Sequence, residues 1–194
     1  MKINDLLGKM KKNHIFICGN KKRGKTNLVK YILTRKQDHL VFDPHNEYKR
    51  FNQLIPETPA GKQANKELTG FMEKIIKPQQ HKIRDLVLDE VNMYSPKAGD
   101  IDGPVGEAVH WGSSHWNMNI YFLTRRPQDV HTSIRGLADY YFIFQTTGDR
   151  AKSILDNIIS GLGEKARNLD KYEFLLITPG RDIYEMDPVP NMDW

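Results

Sequence analysis

Eight consecutive residues, Gly19-Asn20-Lys21-Lys22-Arg23-Gly24-Lys25-Thr26, match the spacing G-x-x-x-x-G-K-[ST] at every fixed position. Each fixed residue has a physical reason. Gly19 and Gly24 let the backbone curl so that its N–H groups converge on phosphate oxygens. A helix starting at Lys25 aims the positive end of its dipole at the same anion. Lys25 reaches the β- and γ-phosphates, and the Thr26 hydroxyl ligates Mg²⁺. Asn27, next in the chain, completes the run expected to bind the nucleotide. A second signal is Asp85-Leu86-Val87-Leu88-Asp89-Glu90, an apolar strand ending in two carboxylates. Asp89 is expected to hold Mg²⁺ through water, and Glu90 to orient and polarise the attacking water. Together the two stretches imply ATP and Mg²⁺ as ligands and hydrolysis as the reaction. The adjacent Asp-Glu pair argues against a small-molecule kinase or a nucleotide-binding switch.

Strands and helices must bring these two stretches together. Short apolar runs alternate with longer amphipathic ones, the signature of a parallel α/β sheet. Strands are predicted at 14–18, 40–42, 86–88, 120–123 and 140–144. Helices are predicted at 25–36, 65–76, 105–112, 149–160 and 163–168. Residues 92–103 contain Pro96, Gly99 and Gly103 and read as a loop. Two last strands, 173–178 and 182–186, flank the turn pair Pro179-Gly180, which implies an antiparallel hairpin at the sheet edge. The expected fold is a P-loop NTPase of the RecA-like (ASCE) branch, the branch that uses a catalytic glutamate. It has a central, mostly parallel sheet flanked by helices, and one domain spans residues 1–194. In that branch an extra strand separates the phosphate-loop strand from the acidic one. Here it ends in Thr124-Arg125-Arg126-Pro127, so Thr124 or Arg125 is expected to sense the γ-phosphate.

Composition sets further bounds. The chain has 194 residues, 39% apolar and 27% charged, ordinary for a globular protein with a sizeable core. Nothing resembles a run of about 18 apolar residues, so no transmembrane helix is expected. The first residues lack the apolar core of a secretory signal, so a cytoplasmic location is expected. The one cysteine, Cys18, excludes an intrachain disulfide and reads as a buried strand residue. Residues 1–36 carry eleven Lys or Arg against one acid, Asp5. That basic face, including Lys9, Lys11 and Lys12, fits a polyanionic partner, or in part the nucleotide alone and in part a solvated helix face.

With these motifs in place, the sequence resembles the FtsK–HerA superfamily of DNA-translocating ATPases. Two further stretches carry the resemblance. Val41-Phe42-Asp43-Pro44-His45-Asn46-Glu47-Tyr48 is similar to the family's "DPHGEY" segment. Thr124-Arg125-Arg126-Pro127-Gln128-Asp129-Val130, followed by Ala138-Asp139, is similar to "TQRP…DV…AD". The chain departs from the family in carrying Arg125 where Gln is usual. It also has no arginine in Ser113-Ser114-His115-Trp116, where many relatives place a finger reaching into the neighbouring subunit. The resemblance therefore implies a trans-acting arginine at Arg125, Arg126, Arg135 or Arg150, or none.

A nearly bare domain resembles the compact genome-packaging ATPases of viruses with internal membranes, including archaeal ones. The resemblance implies a motor that moves double-stranded DNA into a preformed capsid without reading its sequence. It also implies a homo-oligomeric ring, expected to be a hexamer, and contact with capsid or membrane-vertex proteins. The alternatives are a HerA-like plasmid or repair translocase and a phage assembly ATPase, the latter disfavoured by the missing membrane segment. DNA contacts are expected from Lys49, Arg50 and Lys97, in loops after the second strand and after the acidic strand. Tyr48, Tyr94, Trp111 and Trp116 lie in the same loops, and the two tryptophans suit core or subunit-interface packing somewhat better than a DNA contact.

Overall fold

Parallel strands buried on both faces read as continuous apolar runs, and five such runs build the middle of the sheet. The computed structural model describes residues 3–8 and 10–192. Lys9 of the basic face lies outside the described residues. The chain runs through α1 (Ile3–Leu7), β1 (His14–Cys18), α2 (Lys25–Leu33), β2 (His39–Phe42), β3 (Gln53–Leu54), α3 (Gly61–Phe71) and β4 (Asp85–Leu88). It continues through α4 (Gly103–Trp111), β5 (Asn119–Thr124), α5 (Thr132–Gly136), β6 (Tyr140–Phe144), α6 (Asp149–Ile158), α7 (Leu162–Arg167), β7 (Phe174–Ile177) and β8 (Ile183–Met186).

One eight-stranded sheet results, in the order β3-β2-β4-β5-β1-β6-β7-β8. Pairs from β3 through β6 are parallel, whereas β7 and β8 run antiparallel to their neighbours. This is the expected P-loop NTPase sheet with its edge hairpin, and β5 lies between β1 and β4. Alternate residues of each strand serve different layers. Phe16, Leu86, Leu88, Ile120, Phe122 and Ile143 pack with Leu68 of α3, Val105 of α4 and Leu155 of α6. Ile15, Ile17, Val87, Tyr121, Leu123 and Phe142 pack with Leu6 of α1 and with Leu28, Val29 and Ile32 of α2. Parallel strands all present their carboxyl ends on one edge, so Cys18, Leu88 and Thr124 finish side by side. The register pairs Cys18 with Thr124 and Leu88 with Phe122.

The boundaries differ from the sequence reading where end effects decide. The helix expected to reach residue 36 stops at Leu33, and its last turn tightens: Arg35 N donates to Ile32 O and Lys36 N to Leu33 O. The helix expected over 65–76 begins at Gly61 and widens into a π-turn over Met72–Ile76, closed by Lys77 N donating to Met72 O. Part of the expected loop is a 3₁₀ turn, Val91–Met93. No periodic signal announces α1, the two-residue β3 or the short α5, whose lengths are too small to establish a period.

Candidate nucleotide site

Two glycines let the loop after β1 sit close against the carboxyl end of β6. Gly19 has φ 150°, and a Cβ there would lie 2.5 Å from Phe144 Cβ. Gly24 has φ 105° and would meet the Phe144 ring at 3.2 Å and the Tyr172 ring at 3.4 Å. Asn20 pins the loop from the side: its N–H donates to Gln145 O at 2.9 Å, and its amide donates to Thr147 Oγ1 at 3.0 Å. Lys25, on the first turn of α2, is buried and curls back under the loop. Its Nζ donates to Gly19 O at 2.7 Å and to Asn20 O at 3.1 Å. Burial lowers the Lys25 pKa, against the opposing pull of Glu90 and Asp89. The rest of the run lines one open cavity of about 600 Å³, where Lys21, Lys22, Arg23 and Thr26 face Glu47, Glu90 and Arg125.

Acids meet this loop from β2 and β4. Asp89 is 4% exposed. Its pKa is pushed up to about 8, first by burial and then by Glu90, Glu47 and Asp43. A carboxylate destabilised by neighbouring acids is the group that a divalent cation would restore to its ionised form. Thr26 Oγ1 donates to Glu47 Oε2 at 3.0 Å, which puts another hard oxygen donor at the same place. Among the described residues, no cluster of three or more His, Cys, Asp or Glu forms a metal cage. In phosphate sites Mg²⁺ takes one or two protein ligands and completes its shell with phosphates and water. Thr26 would be such a ligand, Asp89 would hold the ion through water, and the ion would neutralise phosphate charge.

Glu90 turns the chain out of β4 in a left-handed conformation, φ 47° and ψ 45°. For a residue with a side chain, this costs on the order of 1–3 kcal/mol, and such strain clusters at functional sites. Glu90 Oε1 accepts from Arg125 Nε at 2.7 Å, while Oε2 is buried with no hydrogen-bond partner among the described residues. The Tyr94 hydroxyl donates to the Asp89 carbonyl at 2.9 Å and braces the same turn.

The two sensor candidates separate in the fold. Thr124 is buried, and its hydroxyl is held by Asn92 Oδ1 at 2.9 Å, whereas Arg125 reaches into the nucleotide cavity. Of the other arginines, Arg126 and Arg150 are exposed. Arg135 is half-buried and donates to the carbonyls of Pro127 and Val130, so its guanidinium is engaged within its own chain. Lys49, Arg50 and Lys97 are exposed, but not equivalent. Lys49 lines the nucleotide cavity, and Lys97 lies 3.2 Å from Asp129. Of their aromatic neighbours, Tyr48 and Tyr94 are buried rather than presented by the loops, Trp116 is buried as core packing requires, and Trp111 is exposed.

Tyr48 is held because the buried Asp43 accepts from Tyr48 N at 2.8 Å and from His45 N at 3.2 Å. This turn carries Glu47 to Thr26, which gives the Asp-Pro-His segment a structural reason. Asp43→Ala is expected to lower stability by about 1–3 kcal/mol, because Tyr48 N stays buried without its acceptor. Urea denaturation checks this, and an unchanged midpoint would overturn it.

Sequence reading missed one part of the site. Beside Gly24, a cavity of about 270 Å³ is lined by Asn27, Phe144, Tyr172, Pro188, Val189 and Asn191. Asn27 fastens the last segment over it, donating to Pro190 O at 3.0 Å and accepting from Met192 N at 2.7 Å. Flat apolar walls beside a phosphate loop suit a nucleobase. Apart from Asn27, which follows the phosphate loop, no local motif announces these residues, because they come together only in the fold.

The comparisons agree with this geometry. Residues 7–176 match the family of the helicase HerA central domain. Among solved structures, the genome packaging NTPase B204 from Sulfolobus turreted icosahedral virus 2, in complex with AMPPCP, aligns with a TM-score of 0.79 at 17% identity, covering 92% of this chain and 99% of that one. B204 from Sulfolobus turreted icosahedral virus, described as a DNA-packaging ATPase, aligns with a TM-score of 0.77 at 20% identity, over 92% and 98% of the two chains. The pCW3 conjugation coupling protein TcpA, with ATPγS, aligns with a TM-score of 0.60 at 18% identity, over 90% of this chain and 59% of that one. At these identities the likeness concerns the fold. No curated protein sequence matches the chain.

Proposed function

We propose that this chain, which belongs to the family of the helicase HerA central domain, is an ATP-driven translocase of double-stranded DNA that packages a viral genome into a preformed capsid. One observation carries the reading. The phosphate loop at 19–26 follows β1 and the pair Asp89 and Glu90 follows β4, with β5 between them, so that residues 21–26 and Glu90 line one cavity, with the buried Asp89 next to Glu90. ATP phosphates would lie on the loop N–H groups and on Lys25, with Mg²⁺ held by Thr26 and Asp89. Glu90 takes the proton from the attacking water, while the acids and bases around it fix the geometry before reaction. Packaging as the task is supported by the fold shared with two viral packaging enzymes along nearly their whole length.

Such a motor works as a homo-oligomeric ring, a hexamer in this reading, with each site completed by a neighbour's arginine. Arg126 and Arg150 have the exposure this needs. Acting on viral DNA, it would work in the host cytoplasm beside capsid or membrane-vertex proteins. The described residues contain no helix long and apolar enough to cross a membrane. DNA would be gripped by its phosphates through Lys49, Arg50 and Lys97, with Lys11 and Lys12 as a second basic surface.

ATP turnover measured against duplex DNA concentration at two salt levels tests the reading. Stimulation is expected with unrelated DNA sequences alike, falling steeply with salt as each neutralised phosphate releases counterions. Combined replacement of Lys49, Arg50 and Lys97 by alanine should flatten the salt slope by about 0.9 for each phosphate that is no longer neutralised. Turnover indifferent to DNA would overturn translocation, and an unchanged slope would move the grip off these residues.

A further inference from the structure

Arg125 stands where it can answer to two ligands in turn. It follows Thr124, the last residue of β5, and β5 lies between β1 with its phosphate loop and β4 with Glu90. Its Nε donates to Glu90 Oε1 at 2.7 Å, and the two groups form an ion pair. Its side chain is 41% exposed, that of Glu90 only 10%. The outer end of the guanidinium is lightly held, with one 3.5 Å contact to His45 Nε2. Arg125 lines the same cavity as Lys21, Gly24, Lys25 and Thr26. A planar guanidinium binds carboxylate and phosphate alike, and a phosphate group offers more charge and more acceptor oxygens than a carboxylate. A carboxylate whose oxygen is taken by a cation is a poor acceptor for a water proton.

We propose that Arg125 is a latch on Glu90: it holds the water-activating carboxylate in an ion pair until a γ-phosphate draws the guanidinium away. This inference rests on the ATPase reading above. It assigns Arg125 a positioning role within its own subunit rather than a finger role in the next. It also gives a reason for arginine where the family usually has glutamine, since a neutral amide makes no such ion pair. The γ-phosphate is then both substrate and release signal, and a nucleoside diphosphate leaves the latch closed. Binding shifts the equilibrium only by the difference in affinity between the closed and open forms. Opening the ion pair thus weakens ATP binding and leaves ADP binding untouched.

Calorimetric titration with AMPPCP and with ADP, in buffer of physiological ionic strength, separates the possibilities without relying on turnover. Glu90→Ala removes one side of the pair and should tighten AMPPCP binding by about tenfold, in the usual range of coupling between sites, leaving ADP affinity unchanged. With Arg125→Ala already present, the same Glu90→Ala change should have no effect on AMPPCP. A gain that persists without Arg125 reflects general repulsion between Glu90 and the phosphates and overturns the latch. So does a gain of equal size for ADP, or no gain at all. A wild-type chain that binds neither nucleotide would instead overturn the ATPase reading itself.

Discussion

Replacing Lys25 by alanine is expected to weaken ATP binding by on the order of 10²-fold or more, because of where the ammonium sits. It is 7% exposed, held by Gly19 O and Asn20 O inside the curl of the loop, and faces Glu90 and Asp89 electrostatically. Phosphates entering that curl would exchange two carbonyl contacts for a charge-assisted pair out of bulk water. Removing one partner of a buried pair costs about 3–5 kcal/mol. The substitution also leaves two loop carbonyls without their donor, so circular dichroism and a melting curve should accompany the titration. Thr26→Ala provides a companion variant that spares the ammonium. It should keep ATP affinity in EDTA and lose most of the gain that Mg²⁺ confers on the wild type. Lys25→Ala binding ATP within a few-fold of wild type, in a folded chain, would remove the loop from the nucleotide site.

How much of this was legible in the residues depends on how local each signal is. The phosphate loop is legible because a backbone curl with converging N–H groups imposes glycine at two fixed places. Gly19 lies so near Phe144 that even a Cβ would clash. The order of β4, β5 and β1 was legible for a different reason: buried parallel strands must be apolar throughout, and the acids ending β4 define the enzyme branch. What stayed hidden depends on side-chain direction or on distant segments. Tyr48 and Tyr94 read as loop aromatics, yet Asp43 and the Asp89 carbonyl draw them inward. The apolar cavity beside Gly24 joins α2, β6, the turn before β7 and the final segment, and no spacing in the sequence connects those four. In the sequence Arg125 suits a sensor or a finger alike, and its 2.7 Å contact with Glu90 is visible only in the fold.

Glu90→Gln is expected to retain nucleotide and lose turnover by about 10²-fold or more, the scale of a positioned general base. The change keeps the shape of the side chain and removes its ability to take a proton. The β4 turn should survive it, because the strained backbone at Glu90 is braced by groups other than its carboxylate. Asp89 Oδ1 accepts from Glu90 N at 3.0 Å, and the Tyr94 hydroxyl holds the Asp89 carbonyl. Glutamine can still accept from Arg125 Nε through its amide oxygen, although the ion pair is lost. Asp89→Asn behaves differently. It alters the residue proposed to hold Mg²⁺ and should remove the metal's contribution to binding together with hydrolysis. Single-turnover measurements with saturating ATP and Mg²⁺ separate the two, since they report chemistry apart from product release. A Glu90→Gln variant that hydrolyses at the wild-type rate in that assay would transfer the base role to another group. Glu47, within hydrogen-bond distance of Thr26, is then the next carboxylate to replace. A Glu90→Gln variant that fails to bind ATP at all would mean that Glu90 serves the fold of the turn rather than the water.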